Sequence, residues 1–403
     1  MIDGALGEAA RALARGDALH ALGIAGRDES ALGLTLRGIA YAQLGDLELA
    51  RGALEDASER STDAHTTSRA RAALAEIALA SGDPARAARE AIACASALEA
   101  LGDPRNAAMQ RLVLARAEVL RGRLPEARGV VEDVLSREQP ADLRAVASLA
   151  QAEIAMRALA ASESRDALGR ARAALDVAPH ELLSRALVSL ERELSAPVAR
   201  VVRDGVSSDA DLFAIEELSR GEVLLIDGCR RVAIGARLIV RLGRRPVLFA
   251  LLLELARAWP GGIGRDELAA RAFDVRRVNP SHRARLRVEV GRLRKAMLGL
   301  AAEPVATKEG YALVSQREVV VLSPHDDGEG ARIALLLGDG ASWSAREVAT
   351  HTRLSIRTVQ RALASLVESG RAIRTGRGAR VRYARPGTPI ASRMLLLGLL
   401  PAS

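Results

Sequence analysis

The chain has 403 residues, 49% of them apolar and 27% charged, as is typical of a globular protein that does not span a membrane. Only 2% are aromatic, so the core has to be built from Leu, Ala, Val and Ile. The net charge of +8 divides into −4 over residues 1–200 and +12 over residues 201–403, so the second half is the one suited to phosphates. The apolar runs are too short to cross a bilayer, there is no basic leader, and Cys94 and Cys229 form no CxxC pattern. We therefore expect a cytoplasmic protein without disulfides.

Residues 1–198 are predicted to form a helical repeat, because Gly-Asp or Gly-Arg breaks recur at Gly45, Gly82 and Gly122 in an Ala- and Leu-rich background. Small or aliphatic residues stand seven positions before each Gly and five, nine and twelve positions after it: Gly38, Ala75 and Ala115; Ala50, Ala87 and Ala127; Leu54, Ala91 and Val131; Ala57, Cys94 and Val134. A fourth copy places Ala167, Ala171 and Ala174 at matching positions. Small residues let two helices approach closely, so the spacing predicts stacked helical hairpins.

The first of these copies resembles the tetratricopeptide repeat, through Gly38, Tyr41, Ala50, Leu54 and Ala57. The period is 37 to 40 residues, longer than that family's 34, and the other copies lack the aromatic positions. The resemblance implies a solenoid whose concave surface binds peptides or partner helices. An irregular helical bundle is the alternative, and the same surface could instead join two protomers.

After residue 200 the sequence predicts short strands at 222–226, 232–234 and 238–242, then helices at 247–258, at about 264–273 and from Asn279 and Pro280 onward. The third helix has an apolar stripe that should face inward, formed by Leu286, Val290, Leu293 and Met297. Its other faces carry Arg283, Arg285, Arg287, Arg292, Arg294 and Lys295. Because so many like charges repel unless a polyanion neutralises them, this helix is predicted to enter the DNA major groove. A merely solvated basic face is the alternative.

Residues 215–316 resemble the winged-helix effector domain of OmpR-type response regulators, through the leading strands, RDEL at 265–268, VGRLRK at 290–295 and ATKEGYAL at 306–313. In that family the last string is a hairpin wing and the recognition helix precedes it. The resemblance implies DNA contact by Arg283, Arg285, Arg287, Arg292, Lys295 and the wing residue Lys308. No aspartate-bearing receiver domain precedes this segment, so control by phosphorylation is not implied.

A strand is predicted at 317–322 and a linker at 323–328, where His325, Asp326 and Asp327 are interpreted as solvated residues and not as a metal site. A short helix at 331–337 follows. Ser344 and Glu347 form a capping box for a helix to about His351, and Ser355 caps a further helix to Glu368. The inward stripe of that last helix is predicted to contain Ile356, Val359, Leu363 and Leu366.

Residues 372–383 predict a β-hairpin with an Arg-rich tip, so residues 328–386 resemble the winged helix-turn-helix of many bacterial repressors. The residues predicted to contact DNA here are Ser355, Arg357, Thr358, Gln360, Arg361, Arg374, Arg377 and Arg380. Some winged helices bind only protein, which is the alternative. The apolar tail 387–403 is expected to pack on its own chain or on a second protomer.

The fold class we predict is mainly α: a tetratricopeptide-like solenoid plus two winged helix-turn-helix domains with small sheets and wings. We expect a transcriptional regulator, cytoplasmic and nucleoid-associated, whose partners are double-stranded DNA, a second copy in a homodimer and a possible protein at the repeats. No motif for nucleotide, metal or acyl chemistry is present, so neither enzyme activity nor a cofactor is expected. The alternative is an interaction scaffold or an architectural DNA-binding protein without promoter-specific control.

Overall fold

The structure is a computed structural model. It describes residues 4–14, 16–203, 205–220, 222–228, 230–235, 238–324, 333–334, 336–337, 343–352, 354–368, 371–375, 378 and 381–384. Over these residues the protein is mainly helical and carries small sheets, as the sequence predicts. The predicted metal-free linker at His325, Asp326 and Asp327, the wing-tip residues Arg377 and Arg380, and the tail 387–403 lie outside the described residues.

The N-terminal part is a stack of helices in chain order: α1 Gly4–Ala14, α2 Ala18–Ala25, α3 Ala31–Leu44, α4 Leu47–Arg60, α5 Ala64–Ala80, α6 Pro84–Ala100, α7 Pro104–Leu120, α8 Leu124–Ser136, α9 Ala141–Arg157, α10 Ala161–Val177 and α11 Glu181–Ser195. Each helix packs against the next one. The odd-numbered helices from α3 to α11 also contact one another in succession, which is the arrangement of a helical-repeat solenoid.

The small residues found by their spacing are the ones at which the helices meet. Apart from Gly38, which has no side chain, all of them are buried apolar side chains, including those of the fourth copy. A Cβ at Gly38 would lie 2.6 Å from Leu54 Cγ, so glycine is what allows α3 and α4 to approach so closely. In the fourth copy the left-handed turn residue is Leu159, with φ at 59°, which explains why no glycine marks this break in the sequence.

Polar residues occupy one equivalent position inside successive repeats, six residues before the turn: Glu76, Arg116 and Glu153, all at least 95% buried. Arg116 forms an ion pair with Glu153, and Arg157 Nη2 lies 3.1 Å from the same carboxylate. Burial raises the pKa of Glu153, but Arg116 and Arg157 outweigh that effect and lower it. Among the described residues no cation pairs with Glu76, whose carboxylate accepts a hydrogen bond from Gln110 Nε2 at 3.3 Å. Its pKa is raised well above the ordinary value by burial.

A six-stranded sheet follows, built from β1 Ala199–Arg203, β2 Val206–Ala210, β3 Leu224–Asp227, β4 Val232–Gly235, β5 Leu238–Arg241 and the late strand β9 Val319–Pro324. Its order is β2-β1-β9-β3-β4-β5, with β9 antiparallel to β1 and parallel to β3. The sequence predicts β3, β4 and β5, but it does not predict β1 and β2. Ser323 and Pro324, predicted as linker, belong to β9, so the sheet extends beyond residues 215–316 on both sides.

The helix α12, Leu212–Arg220, joins the solenoid to this sheet. Leu212 belongs to the solenoid core, while Ile215 and Leu218 belong to the core beneath the sheet. Glu216 Oε2 accepts hydrogen bonds from Ser162 N at 2.9 Å and from Ser162 Oγ at 2.8 Å, at the start of α10. The two parts therefore share a helix and a capped helix terminus.

The rest of this unit consists of α13 Pro246–Arg257, β6 Gly262–Gly264, α14 Arg265–Phe273, α15 Pro280–Ala296, β7 Ala302–Ala306 and β8 Gly310–Ser315, with the small sheet ordered β6-β8-β7. These helices are close to the predicted ones, and β7 and β8 form the predicted hairpin. Leu251 of α13, Leu286 of α15 and Tyr311 of β8 lie in one core. Three helices followed by a hairpin constitute a winged-helix arrangement.

Gly310 of β8 pairs with Gly264 of β6 and leaves no room for a side chain, so we expect Gly310→Ala to lower the free energy of unfolding by about 2 kcal/mol, the cost typical of overpacking. An added Cβ would overlap the Ile263 carbonyl and lie 2.8 Å from Gly264 Cα, and these backbone atoms cannot move aside cheaply. Urea denaturation followed by circular dichroism measures the change. The control is Gly291→Ala in α15, where a Cβ meets nothing within 4 Å and the helix should gain up to about 1 kcal/mol. Equal effects of the two substitutions would contradict this packing.

The last described elements are α16 Ala345–Thr352, α17 Ile356–Glu368, β10 Ile373–Thr375 and β11 Arg382–Ala384, and the two strands pair antiparallel. The capping box of α16 is confirmed: Ser344 N donates to Glu347 Oε2 at 2.7 Å, and Glu347 N donates to Ser344 Oγ at 3.2 Å. Trp343 exchanges two 2.7 Å backbone hydrogen bonds with Tyr383, which adds a third strand segment to the hairpin. Of the predicted short helix at 331–337, residues 333–334 and 336–337 are described and helical.

The prediction of the inward-facing residues of α17 is partly wrong. Val359, Leu363 and Leu366 are buried as predicted, but Ile356 is 43% exposed. At 100° per residue Ile356 lies about 60° from the line of the buried residues, and it is the first residue of the helix. It therefore lies at the edge of the packed surface.

Candidate nucleic-acid interface

The helix α15 begins at a well-defined cap. Asn279 Oδ1 accepts a hydrogen bond from His282 N at 2.9 Å, and His282 Nδ1 lies 3.3 Å from Asn279 N, which completes a capping box. The predicted inward stripe is confirmed, since Leu286, Val290, Leu293 and Met297 are all at least 97% buried. The stripe fixes the rotation of the helix, so the basic residues have to lie on the flanks and the outer face.

Four of the predicted cations on α15 are held by neighbouring groups of the same unit. Their contacts are Arg283 Nε to Asp266 at 2.7 Å, Arg285 above the Phe273 ring at 4.7 Å, Arg292 to Glu289 at 2.9 Å and Arg294 to the Pro304 carbonyl at 2.7 Å. Hydrogen bonding to Asp266 raises the pKa of the Arg283 guanidinium, which stays charged. These contacts orient the side chains and attach α15 to α14 and to the hairpin.

Arg287 and Lys295 differ from these four residues. Both side chains are exposed, and within the described part of the chain no hydrogen bond or ion pair engages either of them. At 100° per residue Lys295 points almost directly away from the buried stripe, and Arg287 lies on the flank. They are the α15 cations whose charge remains available to an external anion.

The hairpin beside α15 presents Lys308 at its turn, where the side chain is exposed. Gly310 N donates to Thr307 Oγ1 at 2.9 Å, and Arg265 Nη2 donates to the Thr307 carbonyl at 3.0 Å. The turn is therefore tied to the start of α14, while Arg294 ties β7 to α15. Lys308 is carried by a hairpin held in a fixed position relative to the helix.

A groove beside the C-terminal half of α15 adds a residue that the sequence reasoning did not select. It is lined by Arg245, Val247, Glu289, Arg292 and Lys295, among others. Arg245 precedes α13 and provides no side-chain cap for it, so backbone N–H groups at this helix start have no capping side chain. The sequence feature that could have indicated Arg245 is the Arg-Arg-Pro run at the start of the predicted helix.

The residues of α17 that are predicted to contact DNA fall into two groups in the structure. Ser355 Oγ accepts a hydrogen bond from Thr358 N at 3.1 Å and lies 2.8 Å from Thr358 Oγ1, so these two residues build the helix cap. The exposed side chains of Arg357, Gln360 and Arg361 have no hydrogen-bond or ionic partner among the residues that the structure describes. Arg374, on β10 of the hairpin, is likewise exposed.

The described residues contain no group of three or more His, Cys, Asp or Glu that could hold a metal ion. In the same part of the chain, no helix is both long enough and apolar enough to cross a membrane. Cys94 is buried in the solenoid as a free thiol, and burial raises its pKa to about 11. No protein-family model, curated protein or solved structure matches the chain.

Proposed function

We propose that the protein is a DNA-binding transcriptional regulator in which α15 and α17 contact the major groove and the hairpins contact the backbone. The observation that carries this proposal is a set of exposed cations on both helices for which the described residues provide no partner: Arg287 and Lys295 on α15, and Arg357 and Arg361 on α17. Uncompensated like charges on one helix face favour a polyanion, and an α-helix fits the major groove. Each helix also lies next to a hairpin in sequence, in the order that winged helices use.

The proposed role of the solenoid is to form a homodimer or to bind a protein partner. Its half of the sequence is mildly acidic, so it is not the half suited to phosphates. Because α12 packs in the cores of both parts, a change in the solenoid would be transmitted through α12 to the first DNA-binding unit. Two moderate DNA-reading units on one chain gain affinity by effective concentration. We place such a regulator in the cytoplasm, on the nucleoid, and we propose that it acts by binding and not as an enzyme.

The test is affinity-selected sequencing of fragmented host DNA with the full-length protein at physiological salt. Enrichment of a narrow set of sites upstream of genes supports a regulator and identifies its operator. Uniform recovery of the genome, with affinity that falls steeply as salt rises, would instead indicate architectural binding. No recovery at all would contradict DNA binding and leave the solenoid and its partner as the functional part.

For the second DNA-reading unit, we expect the double variant Arg357→Ala/Arg361→Ala to lose about tenfold in affinity for the selected site. Its preference for that site over a scrambled duplex should fall by a similar factor, since both guanidiniums are exposed and have no ligand in the part of the chain that the structure describes. Fluorescence anisotropy with the two duplexes measures both quantities. Helical content at 222 nm should not change. An unchanged preference would show that α17 does not read bases.

A further inference from the structure

Val288 is an exposed apolar residue in the middle of the basic helix α15. Its relative exposure is 54%, and at 100° per residue it lies almost opposite the buried stripe. A valine in this position gains nothing from the protein core, and it is surrounded by cations. If α15 enters the major groove as proposed, Val288 faces the floor of the groove.

The residues around Val288 on the outer face are short. Ser281, Ala284 and Gly291 lie on the same side of α15, and a Cβ added at Gly291 would meet open space. Arg287 lies on one flank, and Arg285 and Arg292 lie on the other. The helix can therefore come close to the base edges here, while Arg287 on the flank can reach a phosphate wall. Between Ser281 and Gly291, Val288 is the largest side chain at the centre of the outer face, and Lys295 lies two turns further along the same face.

We propose that Val288 is a specificity-determining residue that selects thymine by contact with its 5-methyl group; this rests on the proposed DNA-binding function. Among the four bases, thymine alone presents a methyl group in the major groove. A valine side chain can neither donate nor accept a hydrogen bond. Placed against guanine, adenine or cytosine, it would desolvate a polar base edge without replacing the lost hydrogen bond, which is unfavourable.

The experiment uses the full-length protein and the highest-affinity duplex from the genomic selection. Each thymine is replaced in turn by uracil, which pairs identically and lacks only the methyl group. The wild-type protein should lose about fourfold in affinity at one or two positions, the value for one buried methyl-sized group. Val288→Ala should bind the thymine and uracil duplexes equally at those positions, with an unchanged salt dependence because no charge is lost.

The matched control is Val188→Ala on the solenoid helix α11, where the valine is 50% exposed and far from α15 in sequence. It should retain the wild-type discrimination. Val288→Thr keeps the branched shape and one methyl group, so it should retain part of the discrimination between thymine and uracil. This variant controls for an indirect effect of shortening the side chain. If uracil has no effect at any position, or if Val288→Ala still discriminates, the assignment of Val288 is overturned while DNA binding stands. If the wild-type protein binds no duplex, both proposals fall.

Discussion

The double variant Arg287→Ala/Lys295→Ala is expected to bind its selected DNA about 100-fold more weakly than the wild-type protein, because each cation contributes on the order of tenfold. Both side chains are exposed on α15 and have no ligand within the described residues, so their whole charge is available to phosphates or guanine. The slope of log affinity against log salt should also become shallower by about 2. Fluorescence anisotropy at several salt concentrations measures both effects.

Two controls separate this contact from a general effect of charge. Arg86→Ala/Arg89→Ala removes the same charge from the exposed surface of the solenoid helix α6, and we expect its affinity to remain within about threefold of wild type. Arg283→Ala combined with Asp266→Ala removes an internal ion pair at no net cost in charge and should also have a small effect. If Arg86→Ala/Arg89→Ala weakens binding as much as Arg287→Ala/Lys295→Ala does, long-range charge determines the affinity and α15 makes no specific contact.

Glu153→Gln should destabilise the solenoid by about 3–5 kcal/mol, the cost of removing one partner from a buried ion pair. The carboxylate of Glu153 forms ion pairs with both Arg116 and Arg157. Its neutralisation removes the ion pair that Glu153 makes with the buried guanidinium of Arg116, whose desolvation is costly. Urea denaturation of the full-length protein, followed by the helical signal at 222 nm, measures the loss. A change below about 1 kcal/mol would show that the triad is hydrated or rearranged.

Glu76→Gln, the same substitution at the equivalent position of an earlier repeat, should have the opposite sign at neutral pH. Burial raises the pKa of Glu76 in the folded protein well above its unfolded value, so the unfolded state binds fewer protons between the two values. The wild-type protein therefore loses stability as pH rises from about 4.5 towards the folded pKa. Glutamine has no proton to lose, so the variant should be the more stable protein at pH 7.5, and its advantage should shrink at pH 5.

The elements that could be predicted from the sequence are those whose signal is local. The spacing of Gly38, Ala50 and Leu54 about a turn reports a close contact between two consecutive helices. The apolar stripe from Leu286 to Met297 identifies the inner face of α15, because helical periodicity alone determines which residues share a face. Ser344 and Ser355 cap helices within three residues of themselves. In each case the interacting residues are neighbours along the chain.

Most of what the sequence does not reveal depends on distant partners. β1 and β2 form a local hairpin whose several polar residues obscure the strand pattern, and β1 also pairs with β9 more than 100 residues later. Glu216 on α12 caps α10 across 54 residues, which no periodicity reveals. Likewise, the sequence shows six cations on α15 but not which of them are engaged by other groups. Three are held by Asp266, the Phe273 ring and the Pro304 carbonyl, which the fold brings alongside the helix.

The position of β9 has a consequence for synthesis of the chain. This strand lies inside the sheet, between β1 and β3, although it is the last of the six to leave the ribosome. Residues 199 and 324 are paired partners, and at roughly 5–20 residues per second the gap of 125 residues takes about 6–25 s to translate. Until β9 is made, the inner edges of β1 and β3 lack the strand that pairs with them, and the core beneath the sheet lacks Val320 and Leu322. Production of this protein should therefore be most vulnerable to aggregation while the second half is being translated, and slower synthesis should prolong the exposure.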